Sequence, residues 1–272
     1  MRCRFCFETF RDVLAEYRGR VPLGRADLVA LAEQIGPRFR KVSLAGGEPL
    51  LCPDLAEILA TLKKHGTKTT SLVTNGSLLI IRPELLDELS GCLDWIGLSV
   101  DSAVPATLAK LGRAVRGQPI LPSEYVKLAE RIRSYGIRLK VNTVVTTLNC
   151  MEDMTPFVQA MKPDGRWKVF QVLPIQGQND GKVENLLVAP ESFSAFVDRH
   201  RPAFGATLVA ETNDMMKGSY AMIDPVGRFF DDTRGRHHYS EPIPQVGIDT
   251  AFSQVRFIRE RFDKRGGEYP WE

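Results

Sequence analysis

No stretch of the 272 residues approaches the roughly 18 consecutive apolar side chains that a membrane-spanning helix needs, and nothing at the start reads as a secretory signal. There are only five cysteines, Cys3, Cys6, Cys52, Cys92 and Cys150, an odd number with no paired framework. That excludes a disulfide scaffold and leads to the expectation of a reducing, cytoplasmic compartment. Neither charge sign dominates: 36 Lys and Arg against 33 Asp and Glu leave +3, too little to argue for nucleic acid. Any anion-binding function must therefore come from local clustering of basic residues. Internal repeats, low-complexity tracts and a second cysteine motif are also missing. What remains is an ordinary mixture, 43% hydrophobic and 25% charged, in a chain long enough to bury a sizeable core.

Two of the cysteines, Cys3 and Cys6, stand three residues apart on what must be a tight loop, where two thiolates can share one metal or one cluster face. A structural zinc site would need a second Cys or His pair, and the other cysteines are single and far apart. A thioredoxin-type redox pair should follow a strand and open a helix, whereas this pair opens the chain. Downstream, Lys41-Val-Ser-Leu-Ala-Gly-Gly-Glu-Pro49 ends an apolar run with two glycines, an acid and a proline. That composition suits a strand end whose backbone approaches a ligand closely, with Glu48 able to accept from an ammonium group.

Periodicity predicts helices over 26–35, 53–64, 83–89, 125–135, 151–161 and 190–200, and strands over 41–45, 67–73, 94–100, 137–145 and 167–173. Residues 8–20 read as loop or irregular helix. Strands alternating with helices imply parallel βαβ units, with ligands beyond the carboxyl ends of the strands. Glu48, Asn75, Ser77, Ser99, Asp101, Asn142 and Gln171 gather there. Each is also an ordinary turn former or cap. Residues 179–272 are expected to cap a core of 1–178 within one structural domain, with a hairpin turning at 224–227.

Cys3, Cys6 and the GGEP string together resemble the radical S-adenosylmethionine (SAM) enzymes. The pattern NxxxxxxNxxEDM over 142–154, Arg166-Trp-Lys-Val-Phe-Gln171, Lys217-Gly-Ser-Tyr220 and Lys264-Arg-Gly-Gly-Glu-Tyr269 narrow the likeness to the viperin-like members, from Cys3 almost to Trp271. The resemblance implies an α/β fold, a partial (βα)6 barrel with a C-terminal cap. It implies a [4Fe-4S] cluster held by three thiolates, Cys3 and Cys6 being two of them. The first cysteine of the triad would stand four residues before Cys3, ahead of Met1. The expectation is therefore a truncated start, with the first barrel strand missing. By the same resemblance SAM is met by Phe5, by Gly46, Gly47, Glu48 and Pro49, and by Asn75, Ser99 and Arg113. Lys41, Lys140, Asn142, Lys168, Tyr220, His237 and Arg265 correspond to triphosphate and substrate positions, Arg166 joins the expected substrate-binding set, and Tyr220 is the candidate proton or hydrogen-atom relay. His237 stands where the family has lysine, which implies a weaker or pH-dependent contact. The implied reaction converts CTP, UTP or GTP to the 3′-deoxy-3′,4′-didehydro nucleotide, with electrons from a reductase, ferredoxin or flavodoxin.

The basic residues support a polyphosphate ligand independently of the likeness. Lys41 and Lys140 lie within strands, and Arg166 and Lys168 flank the start of another. A lysine inside a buried strand is costly unless it meets an anion. Taken singly, each also reads as a solvated strand-end cation. Two other readings stand beside the main one: a different radical SAM reaction on a nucleotide or small anionic metabolite, and a non-catalytic nucleotide-binding protein without a cluster.

Overall fold

The computed structural model describes residues 1–17, 23–267 and 269. Six strands form one parallel sheet: β1 (Lys41–Leu44), β2 (Thr69–Thr74), β3 (Trp95–Ser99), β4 (Arg138–Val145), β5 (Trp167–Gln171) and β6 (Leu208–Glu211). Their order across the sheet is their order along the chain, so each crossover returns one step further round a curled half-barrel. Helices Leu55–Lys64, Leu85–Leu89, Pro122–Ser134, Thr155–Met161 and Pro190–Phe204 lie in those crossovers. The expected βα alternation is present, with most element ends shifted by one to three residues. Helix 190–200 runs on to Phe204 through Pro202, and a short helix, Arg11–Glu16, lies inside the stretch read as irregular. Among the described residues no helix is long and apolar enough to cross a membrane.

The sixth strand was not anticipated. Leu208–Glu211 comes from the stretch read as a cap, yet it pairs in parallel with β5, Lys168 opposite Val209. The strand expected ahead of Cys3 lies outside the described residues.

Side chains alternate across each strand. On β3, Ile96 and Leu98 are fully buried in the main core against the helices. Trp95, Gly97 and Ser99 take the opposite, concave face. The helices bury matching stripes: in Leu55–Lys64 the buried positions are Leu55, Leu59 and Leu62, spaced four and three, with lysines in the last turn where the helix dipole favours them. Fully burying each such leucine contributes roughly 1.5–3 kcal/mol.

The C-terminal region is tied to the barrel by a second core. Phe229, Ile243 and Ala251 pack with Leu31, Ala32, Ile35 and Leu62. Phe229 belongs to the expected hairpin, where Met222–Ile223 pairs antiparallel with Arg228–Asp231 around the turn at 224–227. Asp224 closes that turn by accepting the backbone N–H groups of Val226 (3.0 Å) and Arg228 (2.9 Å). The hairpin thereby anchors the chain that carries Tyr220 and Arg265.

Candidate active site

The concave face carries charge where the other face carries the core. Lys140 and Asn142 point inward from β4, and Gly97 on the neighbouring strand makes room for them. A Cβ at Gly97 would stand 2.7 Å from Lys140 Cε and 3.0 Å from Asn142 Nδ2. Gly97→Ala is therefore expected to leave a folded protein whose affinity for a polyphosphate falls by about tenfold, the equivalent of roughly 1.4 kcal/mol from a displaced cation. Calorimetry with inorganic tripolyphosphate and a thermal melt on the same sample check this.

Four more cations join Lys140. Its Nζ donates to Ser71 Oγ (3.0 Å). Lys41 lies 4.0 Å from the Tyr269 ring centre, which Arg166 covers at 3.8 Å, and Lys41 Nζ also bonds the Tyr269 hydroxyl. Arg166 further donates to the Gly266 carbonyl. Lys168 pairs with Glu211 and donates to the Tyr220 hydroxyl at 3.2 Å. Arg265 stands 3.6 Å from Glu211, donates to the Ser219 carbonyl (3.0 Å) and covers the Tyr220 ring at 3.7 Å. Of the terminal motif, Lys264 to Gly267 and Tyr269 are described, while Glu268 and Trp271 lie outside the described residues.

The electrostatics follow from this crowding. Burial, reinforced by Lys140, Lys168 and Arg166, pushes Lys41 down to about 6. Burial and the neighbouring Lys168 and Arg166 push Lys140 down to about 7. Lys168 is pushed down to about 8, burial outweighing the help of Glu211. Among the described residues Asn142 Oδ1, Arg166 Nε and Arg265 Nε are buried without a hydrogen-bond partner. Buried polar atoms of this kind mark a place where a ligand completes the set.

Tyr220 is held by its surroundings. Gly218, at φ 69° in the left-handed region, donates its N–H to Asp232 (2.6 Å) and accepts from the Ile258 N–H (2.7 Å), which fixes the turn before the tyrosine. A Cβ at Gly218 would meet Thr233 Oγ1 at 2.8 Å. Asp231 and Asp232 are both buried and accept backbone N–H groups. Burial first, and then Glu211, raise the Tyr220 hydroxyl well above the ordinary phenol range. It stays protonated.

His237 is placed elsewhere. Its ring packs against Phe230 and Phe10, centroids 4.7 and 5.9 Å away, and Nδ1 faces the Tyr239 hydroxyl at 3.1 Å. Burial pushes it down to about 4, leaving it neutral near pH 7. Among the described residues no bond joins it to the cations, and its Nε2 is buried without a hydrogen-bond partner. A desolvated ring among aromatics is uncharged near neutrality unless an anion meets it.

The two thiols stand in the N-terminal loop, beside Arg113. The Cys6 N–H donates to the Cys3 carbonyl (3.3 Å), closing the tight loop. Burial raises both thiols, with Arg113 opposing it at each. Two thiols are two of the three that a SAM-binding [4Fe-4S] cluster takes. Among the described residues no third Cys, His, Asp or Glu joins them in a metal-holding group. The loop lies against the end of helix Pro105–Leu111 through Arg2 N–H to Gly112 O (3.2 Å) and Arg4 N–H to Leu111 O (3.0 Å). Phe5 is buried there beneath the Arg113 guanidinium, 5.4 Å away. Arg113 in turn is paired with the fully buried Asp101, a partner that strand-end reading located without assigning.

Gly46 and Gly47 both take positive φ, 83° and 55°, and the space a Gly47 Cβ would take is open, so a ligand can approach the backbone. Glu48 is already engaged: Oε1 accepts from Thr74 Oγ1 (2.7 Å) and the Leu50 N–H (3.4 Å), and Oε2 from both nitrogens of Asn75. It caps the turn beginning at Pro49 and aims Asn75. Ser99 ends β3 on the concave face, part exposed. Sequence reasoning missed Glu211, Gly97 and Glu8. Glu8 lies against Gly46 and is pushed up to about 7 by burial and by Asp232.

The family profile described as the Radical SAM superfamily matches residues 1–160. The chain is 43% identical to an S-adenosylmethionine-dependent nucleotide dehydratase of Lacinutrix mariniflava, over all of this chain and 56% of that protein. It is 40% identical to one of Flammeovirga pacifica, over all of this chain and 92% of that one. The RSAD2 protein of Danio rerio, under the same description, is 32% identical, covering 99% of this chain and 74% of its own length. Among solved structures, native anSMEcpe with bound AdoMet and a peptide superposes with a TM-score of 0.60 at 16% identity, over 97% of this chain and 76% of that one, a likeness of fold. By profile and by relatives across its whole length, the chain belongs to the radical SAM superfamily, in the family named S-adenosylmethionine-dependent nucleotide dehydratases.

Proposed function

We propose that this enzyme removes water from the ribose of a nucleoside triphosphate, with CTP, UTP and GTP as candidates. The observation that carries the reading is the convergence of Lys41, Lys140, Arg166, Lys168 and Arg265 on one concave face with depressed lysine pKa values and unpartnered buried atoms. Such a cluster is unfavourable alone and is neutralised by a ligand of about four negative charges. The relatives' names supply the nucleotide. When bound, the superfamily's [4Fe-4S] cluster and SAM supply a carbon-centred radical that takes a hydrogen from the sugar.

The chain's own residues bind, orient and hold a proton. Cys3 and Cys6 would be cluster ligands. The backbone at Gly46 and Gly47, with Glu48, Pro49, Asn75, Ser99, Phe5 and Arg113, would form the SAM side. The five cations and Asn142 would fix the nucleotide so that the ribose faces that side. The hydroxyl of Tyr220 would be the proton or hydrogen-atom donor during loss of the 3′-hydroxyl. Electrons would come from a reductase, ferredoxin or flavodoxin in the cytoplasm.

Mass spectrometry after incubation with SAM, dithionite and an equimolar mixture of the four ribonucleoside triphosphates tests the reaction and ranks the bases. Recovery of every nucleotide unchanged by a cluster-loaded protein would sink it. Tyr220→Phe should leave SAM cleavage intact and lower didehydro product about a hundredfold or more, the range of a general acid's contribution. An unchanged yield removes Tyr220 from the role. One rival is a nucleotide-binding protein without a cluster. Iron and sulfide content after anaerobic reconstitution separates the two.

The lysines predict a pH signature. With no anion bound, Lys41, Lys140 and Lys168 lose their protons as pH rises through about 6, 7 and 8. A polyphosphate favours their charged forms, so binding takes up protons at pH 8 and weakens as pH rises from 6 to 9. Calorimetry in buffers of different ionisation enthalpy measures the uptake, and none at pH 8 would contradict the assignment.

A further inference from the structure

Glu211 is an acid inside a site built for an anion. It ends β6 on the concave face and is fully buried. Its Oε2 accepts the Tyr220 hydroxyl at 2.5 Å, while Oε1 faces Lys168 and, at 3.6 Å, Arg265. Tyr220 in turn accepts from Lys168 at 3.2 Å and has the Arg265 guanidinium against its ring. One carboxylate therefore joins two of the cations to the phenol. Burial opposes its charge, yet Lys168 and Arg265 hold it below the ordinary carboxylate range.

A carboxylate in this place weakens an anion site, so affinity does not explain it. Orientation does. Among the described residues the phenol hydroxyl has one acceptor, Glu211, whose charge is shared with two phosphate-binding cations. When a polyphosphate engages Lys168 and Arg265, their hold on Glu211 loosens and its charge falls more fully on the Tyr220 proton.

Resting on the polyphosphate reading above, we infer that Glu211 is a positioning residue that fixes the Tyr220 hydroxyl and couples its hydrogen bond to occupancy of the polyphosphate site. The consequence is that Tyr220 reports on the phosphates without touching them.

The test uses the full chain labelled with 3-fluorotyrosine, inorganic tripolyphosphate as the probe, and fluorine NMR beside calorimetry. There are six tyrosines, and the Tyr220 resonance is the one lost in Tyr220→Phe. In the wild type tripolyphosphate binds and moves this resonance. In Glu211→Gln, and in Glu211→Asp, which keeps the buried charge paired but shortens its reach, tripolyphosphate still binds and the movement is lost. A resonance that moves as in the wild type in either variant overturns the coupling, and so does a wild type that binds without moving it. Loss of binding in both folded variants makes Glu211 a pocket-holding residue and overturns it too. A wild type that binds no tripolyphosphate overturns the polyphosphate reading, and this inference with it.

Discussion

Asp101→Ala is expected to lower the unfolding free energy by about 3–5 kcal/mol, the scale for breaking a buried ion pair by removing one member. Asp101 is fully buried just beyond β3. Its carboxylate bonds Arg113 on one oxygen and accepts the Val144 N–H (2.8 Å) on the other, and its carbonyl accepts from Asn149 (2.6 Å). Without it, the Arg113 guanidinium stays buried against the Phe5 ring with its charge uncompensated, and the Val144 N–H loses its acceptor. Burial works against the Arg113 charge, and Asp101 overcomes it, raising the guanidinium's pKa above the ordinary value. The same pair stands beside Cys3, so the thiol loop should loosen before the sheet does. Urea denaturation of wild type and variant measures the loss. A difference below about 1 kcal/mol would mean that water reaches Arg113.

Lys140→Met should act in opposite directions on binding and on stability. Affinity for a nucleoside triphosphate is expected to fall about 30-fold or more, since the lost contact is a buried charge worth at least about 2 kcal/mol. Stability should stay equal or rise. The Lys140 pKa is depressed from the ordinary 10.5 to about 7, burial and like charges disfavouring its proton. A lysine whose pKa falls on folding contributes fully above its unfolded value and costs stability as pH drops toward its folded value. Methionine has no proton to strip, so the variant's advantage in thermal melts should grow from pH 10 to pH 7. A variant that loses both affinity and stability would show that Lys140 is structural.

The parts legible before the structure were those whose signal is local. Two thiols three residues apart, two glycines before an acid and a proline, and strand-length apolar runs between helical periods each declare themselves within a short window. Lys41 and Lys140 were legible because a charge on a strand is conspicuous. Glu211 was not, because Leu208–Glu211 is four residues with no alternation strong enough to mark a strand, in a stretch that otherwise reads as cap. Gly97 looked like any glycine until the β3–β4 register set it opposite Lys140. Arg113 and Asp101 were both noticed, one by resemblance and one at a strand end, but nothing along the chain joins them.

Sequence by itself determined the βα rhythm, the cysteine pair, the GGEP turn and the cations, because backbone preference and side-chain period act over a few residues. Only the tertiary structure decided that five of those cations share one concave face, that Glu211 stands among them beneath Tyr220, and that His237 is a neutral ring in an aromatic pocket. Those outcomes depend on which strands become neighbours and how much water is excluded between them. Charge interactions across a closed sheet join residues far apart in the chain, and no local pattern encodes their distance.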